Sequence, residues 1–190
     1  VPESVIDALP VLDATQLGRS IRRHTEMEGL PSLDGIKVAI VGVQEDRRAY
    51  RNVGCDGAAD AIRPYLYQLY KGKWDFGIAD LGNLYKGERH TDTLLLLKEI
   101  AQELLQRQIV LITIGGSQEL TYANYRGYDS LEQTVNIVSV DARLDVGSEG
   151  RELDHQSYVS HLVLQEPHNL YNFTNLGYQT YFNNPEEIAL

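Results

Sequence analysis

The chain has 190 residues, a length that suits one compact domain with a buried core, or part of a larger protein, and excludes a multidomain machine. Its 43% hydrophobic and 23% charged residues exclude a disordered chain. Seventeen Lys and Arg against 27 Asp and Glu leave a formal charge of -10, without the basic excess that phosphate backbones require, so nucleic acid is not an expected partner. One cysteine, Cys55, cannot close an internal disulfide, and no signal peptide or bilayer-length apolar run is present; a cytoplasmic chain that does not engage a membrane is expected.

Residues 1–34 read as a leader, in which Thr15 caps a short helix running to His24, ended by turn signals at Gly29, Pro31 and Gly35. A domain over residues 35–190 follows. Ile36 to Val43, Phe76 to Leu81, Ile109 to Ile114 and Val135 to Val140 are short, β-branched and nearly continuous in hydrophobicity, as strands covered on both faces are. Between the second and third, Asp92 to Gln106 carries Leu94, Leu97, Ala101 and Leu104 on one helical stripe. Ala58 to Tyr70 also reads as helix, split in two by Pro64, which lacks a backbone donor and disfavours the helical region for Arg63. Alternation of strand and helix predicts a three-layer α-β-α fold around a mainly parallel sheet. Ligands of such sheets sit beyond the carboxyl ends of the strands, which points to the loops at Gln44 to Gly57, Gly115 to Glu119 and Asp141 to Gly150.

Neither G-x-G-x-x-G nor G-x-x-x-x-G-K-[ST] occurs, so dinucleotide and Walker-type phosphate sites have no support. After the third strand comes Gly115-Gly116-Ser117-Gln118-Glu119. Ser117, then Asp141 or Asp145, then His155, His161 or His168 follow the α/β-hydrolase order of a serine nucleophile, acid and base. Against that reading, Glu119 replaces the final glycine of the elbow and no HGGG-like segment is present; a Gly-rich turn with Ser117 capping the next helix is the plainer reading. After the fourth strand comes Asp141-Ala142-Arg143-Leu144-Asp145. If the strand extends through it, two carboxylates and a guanidinium share a face, and the repelling acids need a cation between them: a divalent metal, or Arg143 itself. An ordinary surface salt bridge is the competing reading.

Together, the G-G-S-Q-E-L-T and D-A-R-L-D segments, each after a strand, and N-V-G-C-D-G-A-A-D-A-I-R from Asn52 resemble the ureohydrolase family of arginase, agmatinase and formimidoylglutamase, the last above all. I-A-D-L-G-N from Ile78, and N-L-G-Y-Q-T-Y from Asn175, read as a further strand, extend the resemblance. It implies a dinuclear manganese centre built from G-G-D-H-S and D-A-H-x-D motifs, whose bridging hydroxide attacks a guanidinium or formimidoyl carbon. Gly115, Gly116, Asp141 and Asp145 match; Ser117 and Gln118 stand where the motif has Asp and a ligand His, and Arg143 replaces the other motif His. His155 falls where the family keeps a histidine near the substrate.

These departures predict a degenerate metal centre. Guanidinium donates no lone pair and puts a fixed positive charge where a cation would sit, while an amide is a weaker ligand than imidazole. The expected function is binding of a small guanidino- or formimidoyl-like ligand, or of a partner, in a pocket of Gly115, Gly116, Ser117, Gln118 and Arg143, with Asp141 and Asp145 as vestigial metal positions and no cofactor. The alternative is a manganese hydrolase completed by a C-terminal half, since the family's later S-x-D-x-D motif has no counterpart here. Either way the chain resembles an N-terminal part, and it is expected to form a homo-oligomer or to contact a C-terminal segment through an open strand edge.

Overall fold

A computed structural model describes residues 1–129, 131–147, 150–166 and 169–189. The helices are α1 (Glu3–Asp7), α2 (Ala58–Gln68), α3 (His90–Gln106), α4 (Leu120–Asp129), α5 (Tyr158–Leu164) and α6 (Pro185–Ile188). The strands are β1 (Arg22–Arg23), β2 (Ile36–Val43), β3 (Gly77–Leu84), β4 (Val110–Ile114), β5 (Val135–Val140) and β6 (Leu170–Leu176). Among the described residues one four-stranded sheet has the order β1-β3-β2-β4 and a second pairs β5 with β6, and each of these strand pairs is parallel. Strand and helix alternate from β2 to β6, the α/β arrangement predicted from the hydrophobic runs.

Side-chain alternation along β2 sets the layers. Ile40 points to one face and packs with Tyr67 of α2, Leu17 and Ile21. Val41 and Val43 point to the other and pack with Leu94 and Leu97 of α3 and with Leu120 and Ala123 of α4. Each fully buried leucine on that stripe contributes about 1.5–3 kcal/mol of transfer free energy, which holds α3 against the sheet. Chain direction matters for the site. The connection from β2 leads to α2 on one face, while its neighbour β4 leads to α4 on the opposite face. Loops that leave adjacent strands toward opposite faces open a crevice between their carboxyl ends.

The structure redraws several local expectations. No α-helix runs from Thr15 to His24; a single 3-10 turn covers Leu17–Arg19. The Asp13 carboxylate accepts from the Thr15 amide and hydroxyl, Leu17 N–H donates to Leu69 O, and His24 N–H donates to Asp80 O, so the backbone is spent on turns and on β1. Residues 1–34 also bury Val1, Val5, Leu17 and Ile21. The expected strand from Asn175 lies earlier, over Leu170–Leu176; Gly177, at φ +89°, ends it, and Thr180–Phe182 form a 3-10 turn. The strand starting at Phe76 begins one residue later and continues to Leu84.

Helix α2 is continuous through Pro64. Its anchor is Arg63, whose side chain is wholly buried in a ring of acceptors. Nε and Nη2 donate to Asp80 at 2.9 and 3.0 Å, Nη2 also to Gly82 O at 2.9 Å, and Nη1 to Asp60 at 2.9 Å and Asn83 Oδ1 at 2.5 Å. Tyr67 Oη adds a bond to Asp80 Oδ2 at 2.8 Å. These tertiary bonds replace the helix bond that proline forfeits.

Candidate functional site

At the carboxyl ends of β2, β4 and β5 lies a cavity of about 480 Å³. Ala49, Arg51 and Asn52 from the loop after β2, Gly116, Ser117 and Gln118 from the loop after β4, Asp141, Arg143 and Asp145 from the loop after β5, and His155 and Gln156 line it. All three loops singled out in the sequence therefore meet here. Gly116 makes the tight turn after β4: it sits at φ +81°, and a Cβ would lie 2.4 Å from Leu120 Cδ1 and 2.9 Å from Glu45 O. Gly115 lines a smaller adjoining pocket of about 200 Å³ with Thr113 and Asn124.

β5 ends at Val140, so residues 141, 143 and 145 are brought together by a loop and not by strand alternation. Asp141 Oδ1 accepts from the Arg143 amide at 2.9 Å, closing a turn, and its Oδ2 accepts from the side-chain amide of Gln118. Asp145 adopts φ +52°, a left-handed conformation that Asp tolerates better than most residues. It is 5% exposed, and its Oδ2 is buried without a hydrogen-bond partner. Burial, then the nearby Asp141 charge, push its carboxyl up to about 7, against which the Arg143 charge acts weakly.

Arg143 does not bridge the two acids. Its guanidinium donates to Phe182 O at 2.9 Å and lies 5.5 Å from the centre of the Phe182 ring. The reason is local: Asp141 is already satisfied by the Arg143 backbone and by Gln118, and a carbonyl beside an aromatic face offers the guanidinium a better seat. The expectation of a tethered cation between Asp141 and Asp145 is corrected accordingly. Arg143→Ala should lower stability by about 1 kcal/mol or less, the size of a half-exposed cation–π contact, as read in urea melts.

The serine-nucleophile reading finds the wrong neighbours. Ser117 Oγ donates to Glu119 Oε1, the same oxygen that meets His90 Nε2 at 3.0 Å, so Ser117 neither caps α4 with its hydroxyl nor contacts a histidine. The Gly116 and Ser117 amides are spent on Cys55 O and Glu45 O. His161 Nε2 bonds Arg151 O at 3.0 Å, and His168 lies outside the described residues. A fluorophosphonate should leave Ser117 unlabelled, as intact-mass spectrometry would show. Cys55 is half-buried, and burial first and the nearby Asp46 charge second push its thiol up.

Arg51, Asn52, Gln156 and His155 also line the cavity. His155 Nδ1 donates to Arg48 O at 2.7 Å, which in the neutral ring leaves the lone pair on Nε2. Arg51, Asn52, Ala49 and Gln156 were not singled out in the sequence, because an exposed loop carries no periodicity to mark which side chains turn inward.

Among the cavity's lining residues the candidate metal donors are Asp141, Asp145 and His155. Only Asp141 and Asp145 offer carboxylates, Gln118 turns its amide nitrogen and not its carbonyl to Asp141, and Arg143 has no lone pair to give. Among the described residues no three His, Cys, Asp or Glu side chains gather into a metal-holding group. Among the same residues, no helix is long and apolar enough to cross a membrane.

The chain that carries these parallel strands, the crevice beyond β2, β4 and β5, and its Gly-Gly and Asp-x-x-x-Asp segments matches a family model. The Arginase family model covers residues 36–189, and the chain belongs to that family. A formimidoylglutamase of Streptococcus gordonii is 28% identical over 125 residues, 62% of this chain and 38% of that protein. Another, of Lysinibacillus sphaericus, is 24% identical over 170 residues, 83% of this chain and 53% of that one. Among solved structures, formimidoylglutamase of Bacillus subtilis superposes with a TM-score of 0.78 at 16% identity, over 96% of this chain and 59% of that one. Trypanosoma cruzi formiminoglutamase with Mn2+2 gives 0.72 at 18% identity over 83% and 57%. At these identities the structures show the fold alone. The chain spans 38% of the length of the S. gordonii relative and 53% of the L. sphaericus one.

Proposed function

We propose that this chain is an arginase-family domain that binds a small cation of the guanidino or formimidoyl type and does not by itself hydrolyse it through manganese. One observation carries the reading: Asp145 is buried in the cavity wall with an oxygen that no hydrogen-bond donor reaches, while Arg143 turns away from it. A buried carboxylate oxygen costs free energy until a donor meets it. A planar amidinium, with two N–H groups in a fork, suits that oxygen and the neighbouring Asp141. Relatives of this chain bear the name formimidoylglutamase, which supports the same ligand class.

Calorimetric titration with agmatine, arginine and a formimidoyl amino acid, in chelator-treated buffer, tests the proposal. One of them should bind one-to-one, and Asp145→Asn should weaken that binding at least tenfold. The competing reading is a manganese hydrolase finished by residues outside this chain; the two matching aspartates and the short share of its relatives favour it. Stoichiometric manganese binding to the chain, with metal-dependent release of urea or formamide, would establish that alternative and retire the binding proposal.

A further inference from the structure

Ala49, Arg51 and Asn52 reach the cavity from one loop, and the two ends of that loop are tied together from outside the cavity. Asp46 stands near its start and Asp56 near its end, and both carboxylates meet the ammonium of Lys86, at 2.6 and 2.8 Å. Lys86 follows β3, whose loop contributes no residue to the cavity. Asp46 also ties the loop from within: its other oxygen accepts from the Gly54 amide at 2.8 Å, where the chain turns back at φ +94°. Inside this frame Ala49 N–H donates to Asp46 O and Asn52 N–H to Ala49 O, a run of turns with no strand or helix to stiffen it.

The loop also seats a lining residue that it does not contain. Arg48 O accepts from His155 Nδ1, and the Tyr50 ring meets the His155 ring edge-on with centres 5.6 Å apart. Ala49, Arg51, Asn52 and His155 therefore all take their places from the segment between Asp46 and Asp56. Two carboxylates held at one point repel each other unless a cation lies between them. Water screens that repulsion only in part, because the Asp46 side chain is 11% exposed; Asp56 and Lys86 are about one-third exposed. The two acids push the Lys86 ammonium up, so it keeps the charge this role needs. Ion pairs this open add little to global stability, and the effect of losing one is local opening of the segment it closes.

We infer that Lys86 is a positioning residue of the cavity: by neutralising Asp46 and Asp56 together it closes the loop after β2 and holds Arg51, Asn52 and His155 in the cavity wall. It does not line the cavity and acts only through the two acids. The effect on affinity rests on the binding function proposed above, whereas closure of the loop is read without any ligand.

Three variants test it: Lys86→Met, Lys86→Arg, and Lys86→Met combined with Asp56→Asn. Amide hydrogen exchange is followed in the free chain, and arginine and agmatine are titrated by calorimetry. In Lys86→Met the Asn52 and Gly54 amides should exchange at least tenfold faster while the β2 amides and the melting temperature barely move, and affinity for whichever probe binds should fall about tenfold. Arg, whose fork serves two carboxylates, should restore both readouts. Asp56→Asn, which removes the repulsion instead of replacing the cation, should slow loop exchange again in the Met background. Packing of the lysine stem would show neither rescue, since Met keeps an unbranched apolar stem. Unchanged loop exchange in Lys86→Met, or exchange that stays fast in the double variant, would overturn the inference; so would an opened loop with unchanged affinity. If neither probe binds the unaltered chain, the binding function fails instead, and loop exchange alone decides the role of Lys86.

Discussion

Replacing Asp80 by Asn is expected to destabilise the chain by about 3–5 kcal/mol, the cost of removing one partner of a buried ion pair. Both Arg63 and Asp80 have fully buried side chains. Every hydrogen-bonding neighbour of Asp80 is a donor: Arg63 Nε and Nη2, Tyr67 Oη, and the Gly82 amide at 3.0 Å. An amide at this position would turn an N–H toward one of those donors and leave the guanidinium without its nearest counter-charge. Water cannot compensate in so closed a site. The consequence extends to the cavity, because α2 hangs on Arg63 and Tyr67 and follows the loop that supplies Ala49, Arg51 and Asn52. Urea unfolding followed by circular dichroism reads the loss. Tyr67→Phe, which removes a single donor to the same carboxylate, should cost only about 1–2 kcal/mol. A loss under 1 kcal/mol in Asp80→Asn would mean that Asp60 and Asn83 alone neutralise Arg63.

The sequence shows the sheet more plainly than it shows what the sheet holds. Ile36 to Val43 and Val135 to Val140 are strands with the bounds their hydrophobic runs predict; burial under helices on both faces accounts for the first, whereas Val138 and Val140 of the second stand exposed on one face. Asp92 to Gln106 falls within α3, whose start two residues earlier is fixed by side-chain bonds between Arg89 and Asp92. Thr15 to His24 misleads because a polar residue ahead of a mixed segment looks like a cap, whereas Thr15 is bonded back to Asp13 and the Leu17 and His24 amides go to Leu69 and Asp80 far along the chain. Pro64 misleads in the other direction: local propensity favours a break, and the buried Arg63 overrides it. The three site loops are legible from topology alone, since ligand crevices open where adjacent strands send their helices to opposite faces. The orientation of Arg143 is not. Charge balance between two aspartates predicts a bridge, but the backbone at 143 and the amide of Gln118 reach Asp141 first, and Phe182, far along the chain, receives the guanidinium.

Stability should fall as pH rises from about 4 to 7, by an amount on the order of 4 kcal/mol traceable to Asp145 alone. Its carboxyl is held up to about 7 in the folded chain, by burial first and by Asp141 second, against an ordinary value of 3.8. Below both values the group is protonated folded or unfolded, and no penalty applies. Between them the unfolded chain releases a proton that the folded chain retains, so the folded state loses ground with each pH unit, and above about 7 the loss is complete. Carboxyls held low act in a different window. Burial pushes Glu45 up but the hydrogen bonds from Arg47 outweigh it, and Lys86 holds Asp46 down, so their contributions are present above the ordinary carboxylate range and vanish on acidification below it. Asp145→Asn should therefore flatten the profile between pH 4 and 7 and make the variant the more stable protein at pH 8, in urea titrations at each pH. A cation that needs ionised Asp145 competes with that proton: its affinity for the unaltered chain should be roughly 100-fold weaker at pH 5 than at pH 8. A flat stability profile in the unaltered chain would falsify the buried-carboxylate account, because only solvation of Asp145 could remove the slope. A sloping profile with pH-independent ligand affinity would keep that account and place the ligand elsewhere than on Asp145.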